Sequence, residues 1–125
     1  MTLTYEEARR QAEASADAFN RRDADAFVAL LHEAVTHRGP LGAHHLGQEQ
    51  GRVEGKEAQR EFLRWLWAKE PRLRHVIEEF FVGSEGYAFL THSEDGGTRY
   101  VFAIQVDAEG LIRQFHVYHA APPAP

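Results

Sequence analysis

The sequence predicts an α+β domain in which helices precede an antiparallel sheet. Residues 73–82, 87–93, 98–106 and 112–119 each have the alternation and the β-branched or aromatic content of a strand. The gaps between them hold Gly-Ser-Glu-Gly, Glu-Asp-Gly-Gly and Asp-Ala-Glu-Gly, which are too short for a crossover helix. The chain therefore reverses at each gap, and the four strands form an antiparallel meander. Upstream of residue 73 the periodicity is mostly helical.

Two helices are predicted at the start of the chain. Thr4 and Glu7 form a capping-box signature, so the first helix begins there and continues to about Asn20. Asp23 is suited to cap a second, shorter helix. The apolar face of this second helix consists of Phe27, Leu30 and Leu31.

A short strand, a loop and a third helix complete the first half of the chain. Residues 35–37 have the pattern of a short strand, and residues 39–55 carry five glycines with no sustained period, which indicates a loop or loose hairpin over the mouth of a cavity. The third helix spans residues 56–69, is apolar over most of its circumference and ends before Pro71.

Composition limits the function classes. A chain of 125 residues with 43% hydrophobic content suits one domain, predicted at residues 1–119, with a disordered Ala/Pro tail at 120–125. A net charge of −5 without a basic run argues against a nucleic-acid partner. With no cysteine, no secretion signal and no apolar stretch of about 20 residues, we expect a cytoplasmic protein with no membrane partner.

Three segments resemble a known superfamily. Residues 20–40, Val53-Glu-Gly-Lys-Glu-Ala and Gly110-Leu-Ile-Arg-Gln-Phe-His-Val-Tyr are similar to SnoaL-like and ketosteroid-isomerase-like members of the nuclear transport factor two-like superfamily. The resemblance covers about residues 5–119. It implies a cone in which a curved antiparallel sheet, the four-strand meander plus the short first strand, is closed by three N-terminal helices. It also implies a ligand pocket inside the cone and frequently a homodimer through the outer face of the sheet.

The last hairpin predicts which residues face the pocket. Asp107-Ala-Glu-Gly110 suits a type I turn with a glycine bulge. That turn would pair Val106 with Ile112, Ile104 with Gln114, Phe102 with His116, and Tyr100 with Tyr118. This face mixes large apolar groups with polar ones, as expected of a ligand pocket. The opposite face is partly apolar and suits a dimer contact.

The register of the preceding hairpin stays open. A two-residue turn at Asp95-Gly96 sends Tyr87, Phe89 and Thr91 inward, whereas a bulged three-residue turn sends Ala88, Leu90 and His92 inward. His92 is therefore a candidate of undetermined direction. His75 would share a face with Ile77.

Most residues that carry the known chemistries of the superfamily are missing from this chain. The positions that correspond to the machinery of ketosteroid isomerases are Ser15, Phe102 and Gly39, and none of these residues can do that chemistry. The late-strand run that supplies a carboxylate in epoxide-hydrolase-like members, and likewise in SnoaL-like cyclases, is His116-Val-Tyr-His-Ala120 here and contains no acid. The one chemistry of the superfamily left open is that of its dehydratases, which use a pair of pocket histidines, and the candidates for such a pair here are His37, His116 and His92.

The predicted function is binding of a small, largely apolar molecule in the cone, with histidine-based acid–base catalysis of the dehydratase, cyclase or isomerase type by His37, His116 and Tyr118. The predicted ligand-binding residues are Phe27, His37, Trp65, Tyr100, Phe102, His116 and Tyr118. No cofactor is implied. The alternative is a non-catalytic homodimeric module for ligand binding or association. An interior space of a few hundred Å³ containing His37 or His116 would favour the first, and a collapsed interior the second.

Four histidines lie close together in the sequence and raise the question of a metal site. These are His32, His37, His44 and His45. Imidazole suits several transition metals, but the spacing matches no strong motif, so no metal site is predicted.

Overall fold

The computed structural model describes residues 3–39, 52–93 and 99–120. In these residues the helices are α1 (Tyr5–Asn20), α2 (Ala24–Val28) and α3 (Lys56–Lys69). The strands are β1 (Leu31–Arg38), β2 (Arg52–Glu54), β3 (Val76–Val82), β4 (Gly86–His92), β5 (Arg99–Val106) and β6 (Ile112–His119). In this part of the chain no helix is long and apolar enough to cross a membrane. The predicted tail, apart from Ala120, lies outside the described residues.

The strands form one curved, unclosed sheet in the order β2-β1-β6-β5-β4-β3. The predicted α+β class and the antiparallel meander β3 to β6 are confirmed. The prediction of an entirely antiparallel sheet was wrong, because β1 pairs with β6 in parallel, with His37 beside Phe115. The short-gap argument governs only the meander, whereas the long connection between β1 and β6 permits either direction.

A sixth strand lies inside the region predicted to be a loop or a loose hairpin. β2 has only three residues and pairs antiparallel with β1, with Val53 beside His37. A strand of three residues between glycines is too short to produce a recognisable alternation of polar and apolar residues. In the described part of the chain the sheet therefore has six strands, rather than the five that were predicted.

The capping signatures locate the starts of the first two helices. The Glu7 backbone N–H donates to Thr4 Oγ1 at 3.1 Å, and the Thr4 N–H donates to Glu7 Oε1 at 3.0 Å. The Asp23 carboxylate accepts from the Ala26 N–H at 3.0 Å. α2 has only five residues, however, and Leu31, predicted on its apolar face, is the first residue of β1.

Pairing with β6 explains why the helix stops early and the strand is longer than predicted. Leu31 is 1% exposed and pairs with Ile112, whose N–H donates to the Leu30 carbonyl at 2.9 Å. Tertiary pairing of this segment outweighs its local helical pattern.

The register between β5 and β6 differs from the prediction by one residue. Val106 pairs with Ile112 as predicted, and Gly110 adopts the positive φ of 84° that the turn requires. Arg113 is then an extra residue on β6, so that Gln105, rather than Ile104, pairs with Gln114. The later pairs are Ile104 with Phe115, Phe102 with Val117, and Tyr100 with His119.

This shift reverses the faces of β6 from Gln114 onward, because neighbouring residues of a strand point to opposite sides. Phe115 and Val117 face the helices, whereas Gln114, His116 and Tyr118 lie on the outer face of the sheet. The core lies between the helices and the inner face.

The register between β4 and β5 settles the other hairpin. Tyr87 pairs with Ile104, Phe89 with Phe102, and Thr91 with Tyr100, which is the two-residue-turn alternative. His92 therefore points outward. The turn residues themselves lie outside the described residues.

Gly86 lies where the backbones of β4 and β5 approach each other closely. A Cβ at this position would lie 1.9 Å from the Ile104 carbonyl oxygen, so the backbone would have to move. We expect Gly86→Ala to lower the free energy of unfolding by about 2–3 kcal/mol, measured by urea denaturation. Gly83→Ala is the matched control, since its Cβ would lie 3.8 Å from the nearest atom and should cost far less. Equal losses in the two variants would contradict the close approach.

Candidate functional site

An interior cavity lies between the helices and the inner face of the sheet. Its volume is about 60 Å³, enough for a few water molecules. Most of the wall is apolar and aromatic. The phenylalanines of the wall are Phe19, Phe27, Phe62, Phe89, Phe102 and Phe115. The side chains on the wall that carry polar atoms are Ser15, His37, Gln59, His75 and Tyr100.

His37 is the most deeply buried histidine of the wall, with 4% of its surface exposed. Its Nδ1 lies 3.1 Å from Gln59 Oε1, and its ring is 4.4 Å from the ring of Phe115 and 4.9 Å from that of Phe62. Burial lowers the pKa of His37 to about 4, although the bond to Gln59 opposes this shift. The imidazole is therefore neutral at pH 7.

Gly39 lines the cavity beside His37. A Cβ built on Gly39 would lie 2.9 Å from Val117 Cβ and 3.3 Å from His37 Nε2. A side chain at this position would have to displace Val117. Gly39, one of the three positions compared with the ketosteroid isomerases, thus has no side chain and lies at a point with little room for one.

The other two positions compared with the isomerases also lie on the cavity wall. Phe102 contributes only its ring. The Ser15 hydroxyl donates to the Ala12 carbonyl at 2.8 Å within α1. Neither residue supplies an acid, which agrees with the inference drawn from the sequence.

His75, which precedes β3, is a second histidine on the cavity wall. The Asn20 side chain holds its backbone at both ends: the His75 N–H donates to Asn20 Oδ1 at 2.7 Å, and Asn20 Nδ2 donates to the His75 carbonyl at 2.9 Å. Its ring lies 4.1 Å from that of Phe19 and 5.1 Å from that of Phe102. Its Nδ1 is buried and has no hydrogen-bond partner among the described residues. Burial, assisted by the charge of Arg22, lowers the pKa of His75 to about 3.

Tyr100 lies near His75, with ring centroids 6.0 Å apart. Burial, and then the negative charge of Glu70, raises the pKa of Tyr100 to about 12. The phenol is therefore protonated at neutral pH.

Four of the seven predicted ligand-binding residues line the cavity. They are Phe27, His37, Tyr100 and Phe102. Their role in binding stays a prediction.

His116 and Tyr118 do not line the cavity, because the extra residue Arg113 turns them to the outer face. His116 Nε2 lies 2.6 Å from the Gln114 side chain, and the Tyr118 hydroxyl lies 3.5 Å from His116 Nδ1. Tyr118 is 55% exposed. The predicted pair of His37 and His116 inside one pocket is therefore not formed.

Trp65 and His92 also lie away from the cavity wall. α3 presents Phe62, Leu63 and Leu66 to the cavity, and Trp65 lies at the flank of that face, with its ring 5.9 Å from Phe62. His92 Nδ1 is 3.5 Å from a carboxylate oxygen of Glu78 on the outer side.

Sequence reasoning missed Gln59 and His75. Gln59 precedes Phe62, Leu63 and Leu66 at spacings of three, four and seven, so the helical period could have identified a polar residue on the buried face. It is 1% exposed. His75 lies outside any regular element, and no local pattern indicates its contacts with α1.

The outer face of the sheet carries exposed apolar side chains, with Phe81 60% exposed in addition to Tyr118. The predicted homodimer through this face stays a prediction. Within residues 3–39, 52–93 and 99–120, no three His, Asp or Glu side chains are grouped as metal ligands. His44 and His45 lie outside the described residues.

Comparisons with known proteins agree with the observed fold. The model of the SnoaL-like domain family matches residues 12–118. A SnoaL-like protein of unknown function from Burkholderia thailandensis superposes with a TM-score of 0.85 at 18% identity, covering 95% of this chain and 99% of that one. Among curated proteins, none matches the chain.

Two further structures have the same fold. An NTF2-like protein of unknown function from Burkholderia pseudomallei gives a TM-score of 0.72 at 21% identity, covering 91% of both chains. TerC, co-crystallised with polyporic acid, gives 0.72 at 18% identity, covering 91% of this chain and 92% of that one. These superpositions show a shared fold.

Proposed function

Because the chain belongs to the family of SnoaL-like domains, we propose that its interior cavity binds a small, largely apolar molecule. The observation that carries this proposal is the cavity itself, whose wall of aromatic rings contains the buried imidazole of His37. Ligand sites are typically concave and apolar, with a few polar groups that orient the ligand. The co-crystallisation of TerC with polyporic acid supports a similar use of the fold.

The volume of the cavity limits the size of the ligand. Pockets for drug-sized ligands usually have volumes of about 300–1,000 Å³. The space here is smaller than the few hundred Å³ expected from the sequence, without being a filled core. It therefore limits the ligand to at most about one aromatic ring, and the wall must expand to admit it, since a cavity that binds benzene has a volume of about 150 Å³.

The protonation states favour binding over a two-histidine reaction. Acid–base catalysis by a pair needs one imidazole to accept a proton and one imidazolium to donate it. At neutral pH His37 and His75 are both uncharged, because burial lowers both pKa values. We propose His37 as the proton acceptor in any reaction within the cavity. His116 and Tyr118 have no part in it, since they lie on the outer face.

A cavity-filling substitution tests the proposal. Ala16 lies on the cavity wall in α1, and Ala16→Leu should occupy the space that a ligand needs. We expect toluene to perturb the backbone amide resonances of cavity residues in the wild-type protein and not in Ala16→Leu.

The matched control is Ala103→Leu, which adds the same atoms on the outer face, where Ala103 pairs with His116. This variant should bind toluene as the wild type does. Failure of toluene and comparable single-ring probes to bind the wild type, or equal binding to Ala16→Leu, would contradict a ligand site in the cavity.

A further inference from the structure

The contact between Gln59 and His37 determines which hydrogen bond the cavity offers to a ligand. Gln59 Oε1 can only accept a hydrogen bond, so the Nδ1 that lies 3.1 Å from it carries the proton. A neutral imidazole has one proton on its two nitrogens. His37 Nε2 is therefore left with its lone pair, as a hydrogen-bond acceptor.

Packing holds this arrangement in place. Gln59 and His37 are 1% and 4% exposed, so bulk water does not compete for either side chain. Stacking on Phe115 and edge contact with Phe62 restrict rotation of the imidazole. Breaking the contact would leave a buried amide oxygen without a partner, which is unfavourable in an apolar interior.

The second ring nitrogen of His37, Nε2, lies at the cavity wall. Nε2 is on the edge of the ring away from Gln59, beside Gly39, which is itself part of the wall. Because Gly39 has no side chain, this position does not itself cover the Nε2 edge of the ring. The other wall groups with polar atoms belong to α1, to the segment before β3 and to β5.

We propose that Gln59 is a positioning residue that holds His37 in the Nδ1–H tautomer, and that the cavity therefore selects compact apolar rings bearing a hydrogen-bond donor, such as a hydroxyl group. This ligand class rests on the proposed function of the cavity. Molecules with only an acceptor, such as ethers, present a lone pair to the lone pair of Nε2 and are disfavoured.

Three single-ring probes separate the contribution of the apolar cavity from that of the hydrogen bond to His37. Toluene tests binding in the cavity alone, phenol adds a donor, and anisole adds only an acceptor. We expect the wild type to bind phenol about tenfold more tightly than anisole, the value of one hydrogen bond. Gln59→Leu removes the group that selects the tautomer, and we expect it to reduce this preference severalfold while toluene still binds.

Ser15→Ala is the matched control. Ser15 is another polar residue of the wall, but its hydroxyl is already bonded to the Ala12 carbonyl. This variant should keep the preference of the wild type for phenol. An equal reduction in Ser15→Ala and Gln59→Leu would overturn the assignment to Gln59.

A spectroscopic measurement on the wild type needs no variant to fold. Long-range proton–nitrogen correlations of the imidazole should show a protonated Nδ1 and an unprotonated Nε2 for His37, and Gln59→Leu should shift this balance. A wild-type His37 protonated on Nε2 would overturn the proposal.

The outcomes distinguish the two proposals. Toluene, phenol and anisole binding with equal affinity would overturn the donor selection and leave the ligand site in place. Binding of none of the three would overturn the ligand site and the ligand class with it.

Discussion

Lowering the pH from neutrality toward 4 is expected to destabilise this protein steeply, because two histidines on the cavity wall bind a proton more readily in the unfolded chain than in the folded state. The pKa of His37 is about 4 and that of His75 about 3 in the folded state, against about 6.5 in an unfolded chain. Between these values the unfolded state binds more protons than the folded state, so the free energy of unfolding decreases as the pH falls. The stabilisation that comes from these neutral imidazoles is fully present above about pH 6.5.

The size of the effect is large compared with ordinary domain stability. A pKa that differs by one between the folded and unfolded states corresponds to about 1.4 kcal/mol, so His37 accounts for roughly 3 kcal/mol over its full range. The upper limit for His75 is roughly 5 kcal/mol. Its actual contribution is smaller, because this histidine is only half-buried. Domains are usually stable by about 5–15 kcal/mol, so unfolding should precede complete protonation.

Urea denaturation at a series of pH values between about 7 and 4.5 measures this slope. This slope is proportional to the number of protons taken up on unfolding. His37→Phe and His75→Phe should each lower that number by up to one. The slope is the informative quantity, since either substitution also changes packing at all pH values. A wild-type stability that is flat across this interval would contradict the burial of neutral imidazoles. Ending the series at about pH 4.5 limits the contribution of carboxylates.

Phe115→Ala is expected to lower the free energy of unfolding by about 3–5 kcal/mol. Phe115 is 4% exposed, stacks on His37 and lies 6.4 Å, ring to ring, from Phe27. Removing the ring loses its burial and enlarges the empty space in an aromatic part of the interior. Because Phe115 lines the existing cavity, the variant should also accept larger apolar probes than the wild type.

Tyr118→Ala is the matched control for Phe115→Ala on the same strand. Tyr118 is 55% exposed, so this substitution should change stability by less than about 0.5 kcal/mol. The turn sequence predicted the reverse, with Tyr118 inside. A larger loss of stability in Tyr118→Ala than in Phe115→Ala would support that predicted register instead. If the stability loss of Tyr118→Ala depended on protein concentration and that of Phe115→Ala did not, this would indicate association through the outer face, as predicted for a homodimer.

Much of the fold could be predicted because its determinants are local. The capping box at Thr4 and Glu7 forms as predicted, and short glycine-bearing gaps require the meander that follows α3. Elements that depend on distant partners were predicted less well. β2 exists through its pairing with β1, and Leu31 leaves the helical pattern to pair with Ile112.

The site shows the same division. β5 faces inward as predicted, since Tyr100, Phe102 and Ile104 place large side chains at alternate positions and all three line the cavity. On β6 the run from Phe115 to Tyr118 is compatible with either face. The extra residue Arg113 determines which of the two faces points inward, and no feature of the turn sequence predicts this extra residue.

The sequence by itself determined the class of the fold, the order of most of its elements and the direction of the meander, and its resemblance to the superfamily placed His37 on the pocket side of β1. Only the tertiary structure decided that β1 runs parallel to β6, that His116 and Tyr118 face outward, and that Gln59 and His75 join the wall of the cavity. The physical reason is range. Caps, periodicity and tight turns act within a few residues, whereas strand register and the contacts of a buried polar group depend on packing between segments far apart in the chain.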